Sequence, residues 1–568
     1  MKSILRKLLV LLVISAIATI GAFAQDFTYG DLMYTINDDD VTVTLNGHVD
    51  GYSASGELNI PSTVYNNGQS YTVTIINGQA FYYCEGLTGQ LIIPDTVDEI
   101  GEMAFFKCTG FTSLTLSNAL TDLGNDVFNY CGFTGTIIIP KHLKHIDATT
   151  FFCCNGIEGF VVDPENTVYD SRNNCNAIIS TSDNELIIGC KNSTIPNTVV
   201  SIAEGAFYHV TGLTSITIPN SVQSIGGMSF WYTGLTSINI PNSVNLIVEN
   251  PFAGCAELAT ITVESGNTTF DSRNNCNAII RTNYNEIIAG CKNTVIPNSV
   301  TIIGGYAFYD CNKLSGKLVL PEDITTIAAY AFCKCSSLTG SLTLPNSLID
   351  IGESAFADCS GFDGRLTLSE SLITIPNWAF EGCYGFTDSL VIPNSVTSIG
   401  ARAFKNCYGF NRTLVLSSSL TTINNMAFAG CTGFRDVVSL AETPPTLVAY
   451  PFGGLTCTML TVPCGCIQAY ENSMWHDQFT TIAEDCEDIT EFKDNTLAIY
   501  PNPTKGFVKI EANNIKDISI FNILGEKIFE SEVDGDAFEY DFGIHEDGVY
   551  FVKTITDNGV ITKKVTVD

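Results

Sequence analysis

Phenylalanine recurs along most of this chain at a nearly constant interval. The longest run is evenly spaced and consists of Phe308, Phe332, Phe356, Phe380, Phe404, Phe428 and Phe452. An earlier run has almost the same spacing: Phe81, Phe105, Phe128 and Phe151. A fixed period of this length is typical of solenoids, in which each coil buries its apolar face against its neighbours. The sequence therefore predicts a stack of coils, which presents a long surface and rarely houses chemistry.

The segment 341–359 illustrates one coil. Leu342 and Leu344 point to one side of a short strand and Thr343 to the other, because side chains alternate along a strand. Pro345 cannot donate a ladder hydrogen bond and ends the strand. Stacked copies of this unit predict a continuous parallel sheet with a polar outer row.

The recurring Ile-Pro-x-Ser-Val and Ala-Phe-x-x-Cys elements resemble the BspA-like leucine-rich repeat family over residues 80–452. The resemblance implies a mainly β leucine-rich-repeat solenoid with coils of about 24 residues. Residues 25–79 lack the repeat and are expected to form an N-terminal β cap. Residues 453–490 are expected to form a C-terminal cap and the start of a linker.

Two intervals interrupt the repeat. Phe151 to Phe207 and Phe252 to Phe308 each contain an Asp-Ser-Arg-Asn-Asn-Cys-Asn-Ala-Ile-Ile segment. Family members carry a β-hairpin at such places, so hairpin insertions are expected near 163–193 and 264–294. These insertions are either part of a binding face or tolerated decorations.

Eleven of the 21 cysteines occupy one position of the repeat, three residues after the Phe. Equivalent side chains in successive coils point the same way, which disfavours disulfide geometry. A row of buried free thiols is therefore predicted. Of the other cysteines, Cys175 could pair with Cys190 and Cys276 with Cys291 across the hairpins. Possible disulfides in the C-terminal cap involve Cys457, Cys464, Cys466 and Cys486. Cys464 and Cys466 are too close to pair with each other, so their partners are expected to be Cys457 and Cys486.

Residues 1–24 have the pattern of a secretory signal peptide. Lys2, Arg6 and Lys7 precede an apolar run, and Ala22-Phe23-Ala24 forms a small-residue cleavage site. The apolar run is shorter than the roughly 20 residues that span a bilayer. No later segment is long and apolar enough to cross a membrane, so the mature chain is expected to be exported without a membrane span.

Residues 491–568 differ in kind from the repeat, with short alternating strands separated by Gly506, Gly525 and Gly548. This pattern predicts a small immunoglobulin-like β-sandwich. Four motif blocks resemble the type A sorting domain of type IX secretion, and they include Tyr500, Pro501, Asn502, Pro503, Gly525, Gly548, Tyr550, Lys563 and Lys564. The resemblance implies the type IX secretion machinery of a Gram-negative bacterium as a partner. It also implies a sortase-like peptidase that cuts between Asp488 and Asn495 and attaches the product to the outer-membrane surface.

The formal net charge of −33 excludes whole classes of partner. Nucleic acids and anionic lipid surfaces would be repelled, whereas a basic protein surface would be attracted. The six histidines form no zinc-protease pattern, and no nucleophile elbow or phosphate-binding loop is present. The sequence predicts neither an enzyme nor a bound cofactor or metal.

The residue after the Phe is often aromatic, which gives five candidate ligand contacts: Tyr82, Phe106, Tyr208, Trp231 and Tyr309. These rings either face a ligand or pack between coils. By resemblance to the family, the leading hypothesis is a cell-surface protein that adheres to host or neighbouring-cell proteins. The alternatives are a carbohydrate-capturing surface protein and a passive coat or spacer.

Overall fold

A computed structural model describes residues 26–486, 497–502, 504–523, 526–545, 548–556 and 559–567. The chain divides into two compact units, residues 1–484 and 485–568. The first unit is a parallel-strand solenoid and the second is a small antiparallel sheet. The mainly β solenoid that the repeat predicted is therefore confirmed.

One side of the solenoid, here called the front ladder, contains the strands that hold the same place in each coil as Leu342–Thr343 holds ahead of Phe356. In these strands buried Leu, Ile or Val residues alternate with exposed ones, as Leu342 and Thr343 do. The front strands and the cap strands aligned with them are Ser55–Glu57, Gly86–Ile92, Phe111–Thr115, Gly135–Ile139, Ile157–Val162, Ser237–Ile240, Thr260–Val263, Leu342–Thr343, Leu366–Thr367, Leu390–Val391, Thr413–Leu416, Asp436–Ser439, Met459–Pro463 and Thr481–Asp485. Gly316–Lys317 and Leu338–Thr339 form a separate parallel pair that lies ahead of this place in their coils.

A second side, the back ladder, is formed by the pair of residues that ends five positions before each Phe. The second residue of each pair is a buried Ile or Leu, and most neighbouring pairs are parallel and in register, as Ile399 with Ile423. Asp350–Ile351 and Thr374–Ile375 are in separate sheets. The pairs are Glu99–Ile100, Asp122–Leu123, Ser201–Ile202, Ser224–Ile225, Leu246–Ile247, Ile302–Ile303, Thr326–Ile327, Asp350–Ile351, Thr374–Ile375, Ser398–Ile399, Thr422–Ile423 and Thr446–Leu447.

The third side, the Phe edge, has no β-strands in the described coils but has its own hydrogen-bond ladder. Ser354 and Asp358 have φ values of 54° and 57°, and they flank Phe356 in a tight turn. The amides of Ser354, Phe356 and Asp358 all donate to carbonyls of the next coil, at 3.1, 2.9 and 2.7 Å. Phe rings of adjacent coils stack between these bonds; the Phe356 and Phe380 centroids are 5.6 Å apart and the planes differ by 1°.

Both ends of the solenoid are covered. At the N-terminal end, Gln69–Ile76 pairs in parallel with Thr42–His48 and with Glu99–Ile100, which continues the back ladder into the cap. The other strands there are Asp26–Tyr29, Leu32–Ile36 and Thr63–Asn66, and a 3₁₀ turn covers Gly51–Ser53. At the C-terminal end, a short helix, Ile467–Glu471, precedes Trp475, which is fully buried against Phe452.

Each insertion adds antiparallel strands between two coils. In the first, Tyr169–Asp170, Ile178–Ser180 and Glu185–Ile188 pair in sequence, and the last strand then pairs in parallel with Ser201–Ile202. The second insertion repeats this order with the strands Phe270–Asp271, Ala278–Arg281 and Glu286–Gly290. Short 3₁₀ turns cover Ala148–Phe151, Arg172–Asn174, Arg273–Asn275 and Thr282–Tyr284. The core is consequently divided into three apolar clusters, with the two insertions at the divisions.

Within its described residues, the second unit contains five antiparallel strands and its own apolar core. The strands are Ala498–Tyr500, Phe507–Asn522, Lys527–Asp541, Gly548–Thr556 and Gly559–Val567, with a 3₁₀ turn at Phe542–Ile544. The long strand Phe507–Asn522 pairs with three others, namely Ala498–Tyr500, Lys527–Asp541 and Gly548–Thr556. The immunoglobulin-like arrangement expected from the sequence stays a prediction.

Candidate binding surface

The periodic cysteines join the coils through their thiols. Cys383 Sγ donates to the carbonyl oxygen of Phe356 in the preceding coil at 3.0 Å, and Cys407 Sγ donates to Phe380 at the same distance. Each such carbonyl also accepts a bond from the amide of the cysteine in its own coil. One position thus supplies a small apolar side chain and a donor for a buried acceptor.

All eleven of these thiols are free and buried, which confirms the prediction of an unpaired thiol row. Burial raises the pKa of Cys255 to about 11 and that of Cys431 to about 12. A thiol with a pKa this high carries little thiolate at neutral pH, and thiolate is the reactive form. The row therefore stabilises the stack and supplies no nucleophile.

The five candidate aromatic contacts lie on the Phe edge, where each is half-buried. Tyr82 stacks on Phe106 with ring centroids 5.2 Å apart, and Trp231 stacks on Tyr309 at 5.7 Å. Tyr208 stacks on Phe152 at 4.5 Å. Much of each ring is therefore in contact with another coil, and a role in ligand binding stays a prediction.

More exposed aromatic rings lie nearby at positions that the sequence did not single out. Tyr83 and Tyr130 are 37% and 42% exposed, and the Lys107 ammonium lies 4.5 Å from the Tyr83 ring centroid. Tyr384 and Tyr408 form a second exposed pair, stacked at 5.2 Å. These rings lie two or four residues after the Phe. Their exposure in the fold, which the sequence does not reveal, distinguishes them from the five half-buried candidate contacts.

The two insertions use the same side-chain network. Arg172 donates to both carboxylate oxygens of Asp170, with Nη2 to Oδ2 at 2.6 Å, and its Nη1 reaches Asn184 Oδ1 at 2.7 Å. Arg273 makes the matching bonds to Asp271 and Asn285 in the second insertion. The repeated Asp-Ser-Arg segment therefore holds the hairpin turn against its returning strand.

A glycine takes the place of phenylalanine where each hairpin rejoins the solenoid. The amide of Gly189 donates to Ala206 O, in the same way as the amide of a repeat Phe donates to the next coil. The Phe207 ring packs over the Cα of Gly189. A Cβ on Gly189 would lie 2.0 Å from that ring, and a Cβ on Gly290 would lie 2.0 Å from the Phe308 ring. No sequence pattern indicates this substitution, because glycine is common throughout the chain.

The structure differs from the disulfides predicted in the hairpins: Cys175, Cys190, Cys276 and Cys291 are all buried free thiols. The two members of each predicted pair point into different apolar clusters. Cys175 belongs to the second cluster along the chain and Cys190 to the first. Cys190 Sγ instead donates to Asn176 O at 3.4 Å.

The C-terminal cap region contains both paired and unpaired cysteines. Cys464 and Cys486 are disulfide-bonded, whereas Cys457 and Cys466 keep free thiols. The expectation that all four cysteines form disulfides is therefore wrong for Cys457 and Cys466.

Motif residues of the second unit meet at the strand Gly559–Val567. Asn502 Nδ2 donates to Lys564 O at 2.7 Å, and Asn502 Oδ1 accepts from the Thr566 amide at 2.9 Å. Lys563 Nζ donates to Leu497 O at 2.6 Å. Tyr500 ends its strand and is exposed, Pro501 follows it through a cis peptide bond, Gly548 begins a strand, and Tyr550 is buried.

Several predicted features lie outside the described residues: the signal peptide, Pro503, Gly525 and the cleavage segment from Asp488 to Asn495. Within the described part of the chain, no helix combines the length and hydropathy needed to cross a membrane.

Comparison with protein families identifies both units. The model of the BspA type leucine rich repeat region, in six copies, matches residues 61–179, 187–288, 279–411, 364–478 and 410–500. The chain belongs to the BspA type leucine rich repeat family. The model of the secretion system C-terminal sorting domain matches residues 498–568, so this BspA type protein carries a signal for secretion at its C-terminus.

Solved leucine-rich repeat structures are similar to this BspA type chain. A leucine rich cell surface protein from Faecalibacterium prausnitzii is 24% identical, with 73% of this chain and 94% of that chain covered and a TM-score of 0.42. A leucine-rich repeat protein from Bacteroides ovatus is 22% identical over 81% and 100% of the two chains, with a TM-score of 0.34. The pneumococcal vaccine antigen PcpA is 14% identical over 81% and 99%, with a TM-score of 0.37. No curated protein matches the chain.

Proposed function

We propose that this protein is an adhesin, exported by type IX secretion and held on the outer-membrane surface of a Gram-negative bacterium. There its solenoid binds extracellular macromolecules, foremost proteins of a host or of neighbouring cells. The observation that carries this proposal is the joining of a long coil stack, Phe81 to Phe452, to a secretion sorting domain in one chain.

The chemistry of the surface supports a binding role over catalysis. The front ladder exposes one row of mainly Thr, Val, Ile and Asn side chains, for example Thr343, Thr367 and Val391. Such a face offers many contacts and, in the coils that the structure describes, no converging acid, base and nucleophile. The net charge of −33 favours partners with basic surfaces and gives association a dependence on salt.

Export and display are tested on intact producing cells. The full chain is compared with a chain that ends at residue 486, and external protease is used to detect solenoid on the cell surface. The proposal expects the full chain to be digested and the shortened chain to stay inside the cell. Equal surface exposure of the two chains would contradict export through the sorting domain.

Binding is tested with the purified solenoid, residues 25–490, on immobilised matrix proteins at two salt concentrations. Saturable binding that is micromolar or tighter and weakens with salt is the expected result. If the folded solenoid binds none of these proteins, the adhesin hypothesis is wrong and the passive-coat hypothesis is the one that stands.

A further inference from the structure

The charge of the solenoid is distributed unevenly. Residues 205–248 contain no Asp, Glu, Lys or Arg, and this is the longest charge-free stretch of the chain. It covers the coils of Phe207 and Phe230 and the front strand that leads to Phe252, and it lies between the two insertions. In a chain with a net charge of −33, this charge-free band is an electrostatically distinct part of the surface.

The front ladder is open within this band. Some neighbouring front strands are joined by backbone hydrogen bonds, as Ile392 N to Val415 O at 2.9 Å, whereas others, such as Leu366–Thr367 and Leu390–Val391, belong to separate sheets. The segment from Thr214 to Pro219 is not part of any described strand. Within the described residues, no hydrogen bond is made by the backbone amide or carbonyl groups of Ser215, Ile216 and Thr217.

On one side, the opening borders the turn that ends the preceding insertion. Ser193 Oγ accepts from Cys190 N at 2.8 Å and donates to Asn176 O at 2.7 Å, which holds a tight turn. The amide of Thr194 then donates backwards to Cys175 O. The short front segment of this coil is therefore turned towards the hairpin and does not pair with 215–218. The back ladder and the Phe edge remain paired at the same coils, as the Ser201–Ser224 pair and the Phe207 N to Ser229 O bond show.

A groove of about 480 Å³ lies at this opening. Its polar lining consists of hydroxyl and amide side chains only: Ser193, Thr194, Asn197, Ser215, Thr217 and Ser237. All but Ser193 are exposed. A comparable groove of about 350 Å³, beyond the second insertion, is lined by Lys317 and Glu322 in addition to apolar, hydroxyl and amide groups. The groove in the charge-free band thus has a neutral lining that the other lacks.

We propose that the groove in the charge-free band is a binding site for a neutral carbohydrate chain. Hydroxyl and amide side chains, together with unpaired backbone amides and carbonyls, supply both donors and acceptors, which sugar hydroxyls match on either side. An anionic glycan would be repelled by the acidic surroundings, and a basic protein would be drawn to the charged coils instead. This site is separate from the proposed adhesion to proteins and does not depend on it.

The test uses the full-length chain and a pair of matched double variants. S215A/T217V removes two hydroxyls from the groove at nearly constant volume. S341A/T343V makes the same change at the equivalent positions of the coil that contains Phe356. All four positions are exposed or half-buried, and Ser341 Oγ also accepts a hydrogen bond from the Arg365 amide at 3.0 Å, so thermal midpoints are measured to verify that both variants stay folded. The probes are dextran, mannan, galactomannan and a neutral β-glucan, with a sulfated dextran as the anionic comparison.

The expected result is binding of at least one neutral polysaccharide, with an affinity that does not change between low and high salt. S215A/T217V lowers this affinity about 10-fold, because two hydrogen bonds to the ligand are lost, while S341A/T343V leaves it unchanged. The proposal is overturned if no neutral polysaccharide binds, if both variants lose affinity equally, or if only the sulfated dextran binds. Binding to basic proteins is measured on the same three chains. A failure of the protein-adhesion proposal is thereby distinguished from a failure of the carbohydrate-site proposal.

Discussion

Cys383 Sγ lies 3.0 Å from the carbonyl oxygen of Phe356, one coil earlier, and this contact recurs along the stack. It explains why a secreted chain keeps so many unpaired cysteines. The thiol is small enough for the crowded interior and satisfies a second lone pair on a buried carbonyl.

Replacement of this thiol gives the first prediction. C383A should lower the unfolding free energy by about 1–2 kcal/mol, since it removes a buried hydrogen bond and leaves a small cavity. Chemical denaturation followed by circular dichroism measures the change. C466A is the matched control, because the Cys466 thiol is half-buried and makes only a 3.8 Å contact to Cys464 O. An equal loss in the two variants would mean that the inter-coil bond contributes nothing.

The thiol row also predicts a loss of stability in alkali. An unfolded thiol releases its proton near its ordinary pKa of 9.0, whereas burial raises the pKa of Cys255 to about 11. Between these values the unfolded state releases more protons, so stability is complete below about pH 9 and falls as the pH rises. In this pH window, each such thiol lowers the free energy of unfolding by about 1.4 kcal/mol per pH unit.

The measurement is the thermal midpoint as a function of pH. A variant with Cys359, Cys383, Cys407 and Cys431 replaced by Ala should start from a lower midpoint at neutral pH and decline less steeply in alkali. Tyrosine ionisation affects both chains equally. Parallel curves for the two chains would show that the thiols do not cause the decline.

A third prediction concerns the glycine at the end of each insertion. G290A should destabilise the protein by about 2–4 kcal/mol, because its Cβ would lie 2.0 Å from the Phe308 ring and force the ring away. The control is G453A, where the nearest atom to an added Cβ is 3.5 Å away. Thermal unfolding compares the two. Wild-type stability in G290A would show that the Phe308 ring has room to move.

The coil was predictable from the sequence because its period, its Pro and its Ala-Phe pair each constrain the backbone locally. The free state of the hairpin cysteines could not be predicted in the same way, because chain spacing does not reveal that Cys175 and Cys190 point into different apolar clusters. The opening in the front ladder could not be predicted from the sequence either. Ser215 to Pro219 has nearly the same sequence as Ser237 to Pro241, and only the second forms a strand. The open segment is in the coil that follows the turn at Ser193, and Leu318 to Leu320 are likewise outside any strand in the coil that follows the matching turn at Thr294. The break therefore accompanies the insertions and cannot be read from the sequence of the segment itself.

The central claim is that the solenoid is displayed on the cell surface and binds there. Adhesion of producing cells to protein-coated surfaces tests it most directly, with cells that lack the chain and cells whose chain ends at residue 486 as comparisons. The account predicts that both comparison strains lose surface display and adhesion together. Cells that display the full chain but adhere no better than cells without it would contradict the account.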